Sequence, residues 1–413
     1  MFRSAADLSR DEINSMVNAF STTWISERAT ELGFAMAGVA QAERFPELLK
    51  QQEWLARGYA GEMQYLSDAR RIDPQQALPG IRSVIVCALT YNTGHARTEQ
   101  ARADLDHATQ TSGPRGWISR YAWGDDYHHV LREKLQSLLD GLRDQHPHSF
   151  EARIYADTGP INERVLAKHA GLGWLGKNTL LLNERMGSFF FLGVILTTLD
   201  LPPTLGIADF PPADRCGTCR KCIDACPTDA LVEPYVMDAR KCISYLTIEL
   251  RGAIPEQLRE PMGQHIFGCD ICQDVCPWNR HAPVTYAKEF QPRSFAHATD
   301  PAAAEEEFSL YEKNGASPET LFMPRLEWLA SLSQNDFSEM FRGSPIKRTK
   351  WQGLLRNVCV ALGNSKLPSD LAVFQRISTV LKRLAASPDP VISESAQWAI
   401  SRIQANEASQ SMK

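Results

Sequence analysis

Eight of the ten cysteines in this 413-residue chain fall between Cys216 and Cys276. The first run reads Cys216-x2-Cys219-x2-Cys222-x3-Cys226-Pro227; in the second, Cys242 stands apart from Cys269-x2-Cys272-x3-Cys276-Pro277. Cysteines three apart on a tight loop supply three corners of a 4Fe-4S cube, and where two such runs end in Cys-Pro, each lends its last thiol to the other cube. That rule assigns Cys216, Cys219, Cys222 and Cys276 to one cluster and Cys242, Cys269, Cys272 and Cys226 to the other. About two dozen residues separate Cys242 from Cys269. Loop closure costs only ~0.6 kcal/mol per doubling of length, so the insertion is tolerable. Zinc takes four ligands per site and would leave thiols unused. Disulfides need an oxidising compartment, which nothing upstream suggests.

Other residues have the right type but weaker context. Asp157, in Arg153-Ile-Tyr-Ala-Asp-Thr-Gly159, stands where a predicted strand ends, a usual place for functional groups in α/β proteins. It serves equally as an Asx turn or as the cap of a helix over Pro160–Ala170. The segment from Ile118 to His128 is dense in Arg, Tyr, Trp and His, and Asp125 or Asp126 is placed to cap the helix that follows. It reads as a ligand wall or as a capped, solvated helix start. Gly171-Leu-Gly173-Trp-Leu-Gly176-Lys177-Asn178-Thr179 matches G-x-G-x-x-G and nearly matches a P-loop. A dinucleotide fingerprint follows a strand and opens a helix, whereas a predicted helix, Ile161–His169, precedes these glycines. Asn178 stands where a P-loop needs Ser or Thr. Backbone that approaches some other bulky ligand fits the glycines better. Arg342, Lys347, Arg348, Lys350 and Arg356 gather positive charge late in a chain of net charge -5, as a solvated helix face or a phosphate contact.

The elements that must position these groups alternate at first. Periodicity predicts helices over 12–32, Pro46–Arg57 and Val130–Leu142, and strands over Phe34–Ala40, Ser83–Thr90 and Phe189–Thr198. The first half is therefore α/β. Thr93–Gly116 reads as a loop, Leu201–Pro212 as a Pro-rich link and Ala302–Glu307 as a surface insertion. From about residue 336 the pattern turns to amphipathic helices, with Lys350–Gly363 and Ile392–Ile403 alike about forty residues apart, a period that suits HEAT-type pairs. Composition, 43% hydrophobic and 23% charged, is that of a globular protein of roughly two to four domains. No apolar run reaches the ~20 residues of a membrane helix and the start lacks a signal-peptide pattern, so a cytoplasmic protein is expected. Cys87 and Cys359 sit in apolar runs and read as small hydrophobes.

Together, the cysteine stretch, Ile118-Ser-Arg-Tyr-Ala-Trp-Gly-Asp-Asp-Tyr-His128, the Ala-Asp-Thr-Gly around Asp157 and Cys242-Ile-Ser-Tyr-Leu-Thr closely resemble the epoxyqueuosine reductase family over nearly the whole chain. That family is similar to reductive dehalogenases. The resemblance implies a nitroreductase-like cobalamin domain over 1–205, a ferredoxin-type module of two 4Fe-4S clusters over 206–290, a linker or insertion over 291–335 and an all-α HEAT-like domain over 336–413. It implies reduction of the epoxide of epoxyqueuosine in tRNA to queuosine, with cobalamin fed by the clusters from an unidentified low-potential donor, in a monomer. Asp157 matches the family's proton donor. Desolvation would raise its pKa and keep the proton available. Arg71, Ser119, Asp157, Leu181 and Ser244 match corrin-contacting positions, Ser119 standing where some members carry Cys. Ser244 could face the tRNA instead. Arg251, Lys347, Arg348, Lys350 and Arg356 are the expected tRNA phosphate contacts. The rival readings are a dehalogenase-like cobalamin enzyme on a small substrate, a non-enzymatic electron carrier and a zinc-stapled RNA-binding protein.

Overall fold

The computed structural model describes residues 23–98, 113–146, 148–205, 211–295, 319–365, 367 and 371–411. Its frame is a four-stranded antiparallel sheet of β1 (Met36–Gln41), β2 (Ser83–Thr90), β3 (Ala152–Tyr155) and β4 (Phe190–Thr197), in the order β1-β2-β4-β3. β2 is covered on both faces, which is why its sequence is a continuous apolar run rather than an alternating one. Ile85, Cys87 and Leu89 meet helix α1 (Tyr127–Gln145) through Leu131, Leu135, Leu138 and Leu139. On the other face Val84, Val86 and Ala88 meet α2 (Glu163–His169) through Val165, Leu166 and Ala167.

Strand boundaries fall within two residues of those expected, except that β3 stops at Tyr155 and leaves Asp157 beyond the sheet. Asp126 caps α1 by accepting the His128 N–H at 3.1 Å. The expected first helix is present over 23–31; its earlier part and the Ala302–Glu307 insertion lie outside the described residues.

In the cysteine region, two short helical turns, Lys221–Asp224 and Ile271–Asp274, follow the CxxC spacings, and α3 (Ile243–Ile248) begins immediately after Cys242. The last part is built on α4 (Lys350–Gly363), α5 (Leu371–Ala385) and α6 (Pro390–Ser411). Helix α4 is buried all round from Leu354 to Gly363, the mark of a central rather than a surface helix.

This helical core recruits residues from far away. Trp117, Ile118 and Trp123 pack into it, as do Leu321, Leu326 and Leu329. Residues 319–332 are thus part of a core, not of a linker as the sequence suggested. Trp117–Ile118 pairs in parallel with His265–Phe267, joining the stretch before α1 to the stretch before Cys269.

Candidate functional site: a double thiol centre and a polar cleft

The eight cysteines gather as two neighbouring sets. Burial pushes the Cys222 thiol up, and nearby Cys276 and Cys216 push it further, to about 11. Cys276 is raised by burial and then by Cys216 and Cys219. Cys269 is raised by burial and then by Cys272 and Cys242; Cys272 feels Cys242, Cys222 and Cys226 in addition to its burial. The neighbours fall into the crossed groups that the Cys-Pro rule assigns, with Cys222 and Cys272 at the seam between them. So many buried thiolates repel one another unless cations lie among them, which is what iron supplies.

One buried donor also fits a sulfur-rich cofactor. Trp174 is 2% exposed and packs with Trp278, Cys216 and Cys276, and its indole N–H has no hydrogen-bond partner in the protein. A cluster sulfur would satisfy it.

Trp174 belongs to the glycine-rich segment, and there the structure revises the expectation. Trp174–Leu175 pairs with Leu181–Leu182 in a short hairpin, and a Cβ on Gly173 would lie 2.0 Å from the Leu182 carbonyl oxygen. The glycines serve this close packing. Leu181, expected at the corrin, buries its side chain in the sheet core.

A cleft of about 310 Å³ opens beside Asp157, lined also by Tyr65, Arg71, Thr158 and Arg348. Asp157 has φ +58°, a left-handed conformation uncommon outside Gly, Asn and Asp. Its N–H donates to Glu163 Oε1 at 2.6 Å, and its Oδ2 accepts the Tyr127 hydroxyl at 2.6 Å and lies 3.4 Å from His128 Nε2. Tyr127 is stacked between Phe191 and His128, so its hydroxyl is fixed in place. His128 Nδ1 is bonded to Asp126 Oδ1 at 2.6 Å.

This arrangement moves the protons away from where the sequence put them. Partial burial pushes the Asp157 carboxyl up, but His128, Tyr127 and the Arg348 charge outweigh it and hold it below the ordinary carboxylate range. Burial disfavours a charged His128, yet Asp126 and Asp157 together raise it to about 9. Glu163 is raised to about 8, by burial and then by Asp157. These shifts favour the protons on His128 and Glu163 over Asp157. Tyr127 and His128 lay in a segment the sequence had marked as unusually polar; Glu163 carried no signal beyond its place at a helix start.

The other expected site residues divide. Arg71 lines the cleft, donating to the Ile161 carbonyl at 2.9 Å and lying over the Tyr65 ring. Arg348 reaches the same cleft, bonded to Glu249 Oε1 at 2.5 Å and 5.7 Å from the Tyr65 ring centre. Lys347, Lys350 and Arg251 are exposed nearby, and Arg251 donates to the Arg348 and Thr349 carbonyls. Arg356 is not available to phosphate: it is wholly buried and its guanidinium holds the carbonyls of Leu246, Leu250 and Gly252 at 2.6–2.7 Å. Ser119 is buried with its hydroxyl committed to Asp270, whereas Ser244 is half-buried in the first turn of α3, directly after Cys242.

Residues 215–279 match the model of a 4Fe-4S double cluster binding domain, and residues 71–158 match that of epoxyqueuosine reductase QueG. The epoxyqueuosine reductase of Pseudomonas aeruginosa is 38% identical over 92% of this chain and 93% of its own length. That of Escherichia coli is 39% identical over 92% and 88%. A solved epoxyqueuosine reductase, crystallised with an epoxyqueuosine-modified tyrosine tRNA stem loop, superposes with a TM-score of 0.74 at 30% identity, covering 94% of this chain and 91% of that one. With a double 4Fe-4S domain, a matching fold and this identity over nearly its full length, the chain belongs to the epoxyqueuosine reductases, a family of oxidoreductases.

Proposed function

We propose that this protein reduces the epoxide of epoxyqueuosine in the tRNA anticodon to the alkene of queuosine, releasing water. The observation that carries this reading is the Asp157–Tyr127–His128 constellation at the edge of a cleft sized for a nucleoside, in a chain that also carries the double thiol centre. The solved reductase bound to a modified tRNA stem loop supports it.

The reaction takes two electrons and two protons, and opening the epoxide leaves alkoxide character on oxygen that an acid must meet at ~3 Å. Asp157 is the group at the cleft edge, and His128, kept cationic at neutral pH, is the reserve that protonates it as charge develops. Glu163, bonded to the Asp157 backbone, is the second reserve. The two cysteine sets hold the 4Fe-4S clusters in the crossed assignment and pass electrons inward from a low-potential donor.

Cobalamin, when bound, would supply a strongly reducing metal centre at the cleft. The described cleft takes only part of so large a cofactor, so the fit is partial, with Arg71 as its clearest contact. In this reading the sheet domain is nitroreductase-like and α4–α6 form a HEAT-like stack. Lys347, Lys350 and Arg251 hold tRNA phosphates beside Arg348, in a monomeric, cytoplasmic enzyme.

The test is anaerobic incubation of iron-reconstituted protein with cobalamin, a low-potential reductant and epoxyqueuosine-containing tRNA, followed by mass spectrometry of the nucleosides. Queuosine should form, and Asp157→Asn should slow it at least 100-fold, the usual size of an acid–base contribution. No queuosine from fully loaded wild type would overturn the reading; full turnover by the variant would remove Asp157 from its role.

A further inference from the structure

The P-loop-like segment is left without a nucleotide, and its lysine is placed for another purpose. Lys177 is 9% exposed, and its ammonium donates to the carbonyls of Gly217 at 2.5 Å and Cys219 at 3.0 Å. Both carbonyls belong to the loop that carries Cys216, Cys219 and Cys222. The Trp174 indole packs against Cys216 and Cys276 of the same set, and its buried N–H is unpaired within the protein. On the same tip, Asn178 reaches the Cys272 carbonyl at 3.4 Å, in the other cysteine run. The opposing charge, Asp214, is exposed and bound by the Cys216 N–H at 2.7 Å and by the Tyr235 hydroxyl, so water screens it far more than it screens the lysine.

We propose that Lys177 and Trp174 raise the reduction potential of the cluster carried by Cys216, Cys219, Cys222 and Cys276. The physical cause is differential: a cluster gains negative charge on reduction, so a fixed buried cation and an N–H aimed at sulfur stabilise the reduced form more than the oxidised one. The hairpin holds both groups on one short turn, with Gly173 packed so tightly that the turn cannot drift. This inference rests on the two-cluster reading of the site.

The experiment is a redox titration of the reconstituted full chain, with each cluster followed by its electron paramagnetic resonance signal and iron counted in parallel. Lys177→Met should make the reduction equilibrium of one cluster at least tenfold less favourable, about 59 mV for a one-electron couple, and leave the other within error. Lys177→Arg should stay close to wild type. Trp174→Phe, which removes the N–H along with part of the ring but keeps an aromatic side chain, should move the same cluster in the same direction by less. If Lys177→Met keeps full iron and both potentials are unchanged, the proposal fails. If Lys177→Met loses iron, Trp174→Phe decides: an unchanged potential there overturns the proposal, and a selective downward shift sustains it. Absence of two 4Fe-4S signals in wild type would instead sink the cluster reading itself.

Discussion

Replacing Asp126 by Asn separates the electrostatic from the structural role of the residue beside His128. Asn caps a helix as well as Asp does, so the N-terminus of α1 and the position of Tyr127 should survive. The charge does not survive. The Asp126–His128 contact at 2.6 Å is a charge-assisted hydrogen bond between groups that are each less than a quarter exposed. Such a bond is worth ~1.5–3 kcal/mol, and one pKa unit is 1.36 kcal/mol, so the imidazole should fall by about one to two units. From about 9 it would reach roughly 7–8. A histidine with a raised pKa is charged below that pKa and loses its proton above it, so the alkaline limb of kcat/KM, which reports the free enzyme, should move down with it. At pH 8.5 wild type should keep roughly three quarters of its plateau activity and the variant roughly 3–25% of its own. Single turnovers of pre-reduced enzyme avoid the pH dependence of the external reductant. An alkaline limb that stays in place in Asp126→Asn, with clusters and tRNA affinity intact, would refute the assignment of the proton reserve to His128.

Arg356→Met should strip the donors from one buried and two partly buried carbonyls, at ~1–3 kcal/mol for the buried one and less for the others, lowering the thermal midpoint of the cluster-loaded protein. Lys347→Gln with Lys350→Gln should leave that midpoint unmoved while weakening tRNA binding. Measured as affinity across a salt series, the slope should flatten by roughly 0.7–0.9 for each phosphate no longer neutralised. Gly173→Ala should push the hairpin off the Leu182 carbonyl and reduce the iron bound per chain, counted after reconstitution. The raised pKa of His128 also predicts a stability effect: its contribution is full below about pH 6.5 and is lost as pH rises through about 9. The melting difference between wild type and His128→Gln should narrow over that window.

The cysteine sets were readable because cluster ligation is written in local spacing, and only the contribution of Cys226 and Cys276 to the opposite set needed a rule about chain crossing. β2 and α4 were placed to the residue because apolar runs mark them plainly. What the sequence hid was contact at long separation. Asp157 gained its partners from a helix start thirty residues away, and those hydrogen bonds reversed the sign of a pKa shift argued from burial alone. Arg356 shows the same limit from the other side: a cluster of basic residues looks solvated until the helix beneath one of them proves to be buried all round. In the glycine-rich segment, close packing within a hairpin and close approach to a ligand require the same residue, so the sequence alone did not separate them.

The pairing of Trp117–Ile118 with His265–Phe267 bears on how far the chain can be treated as exchangeable parts. Ser119 donates its amide to the Phe267 carbonyl at 2.7 Å, and the Arg120 amide is held by Asp270 at 2.7 Å, so the approach to the proton-handling helix is stitched to the loop of Cys269 and Cys272. Trp54 and Glu62 add further stitches to Met237 and Tyr245. A cassette cut at the Pro-rich link would expose an unpaired strand edge on each side, with bared tryptophans on one and their unfilled socket on the other. Neither half should fold by itself, and chimeras between relatives should work only when both sides of that seam are exchanged together.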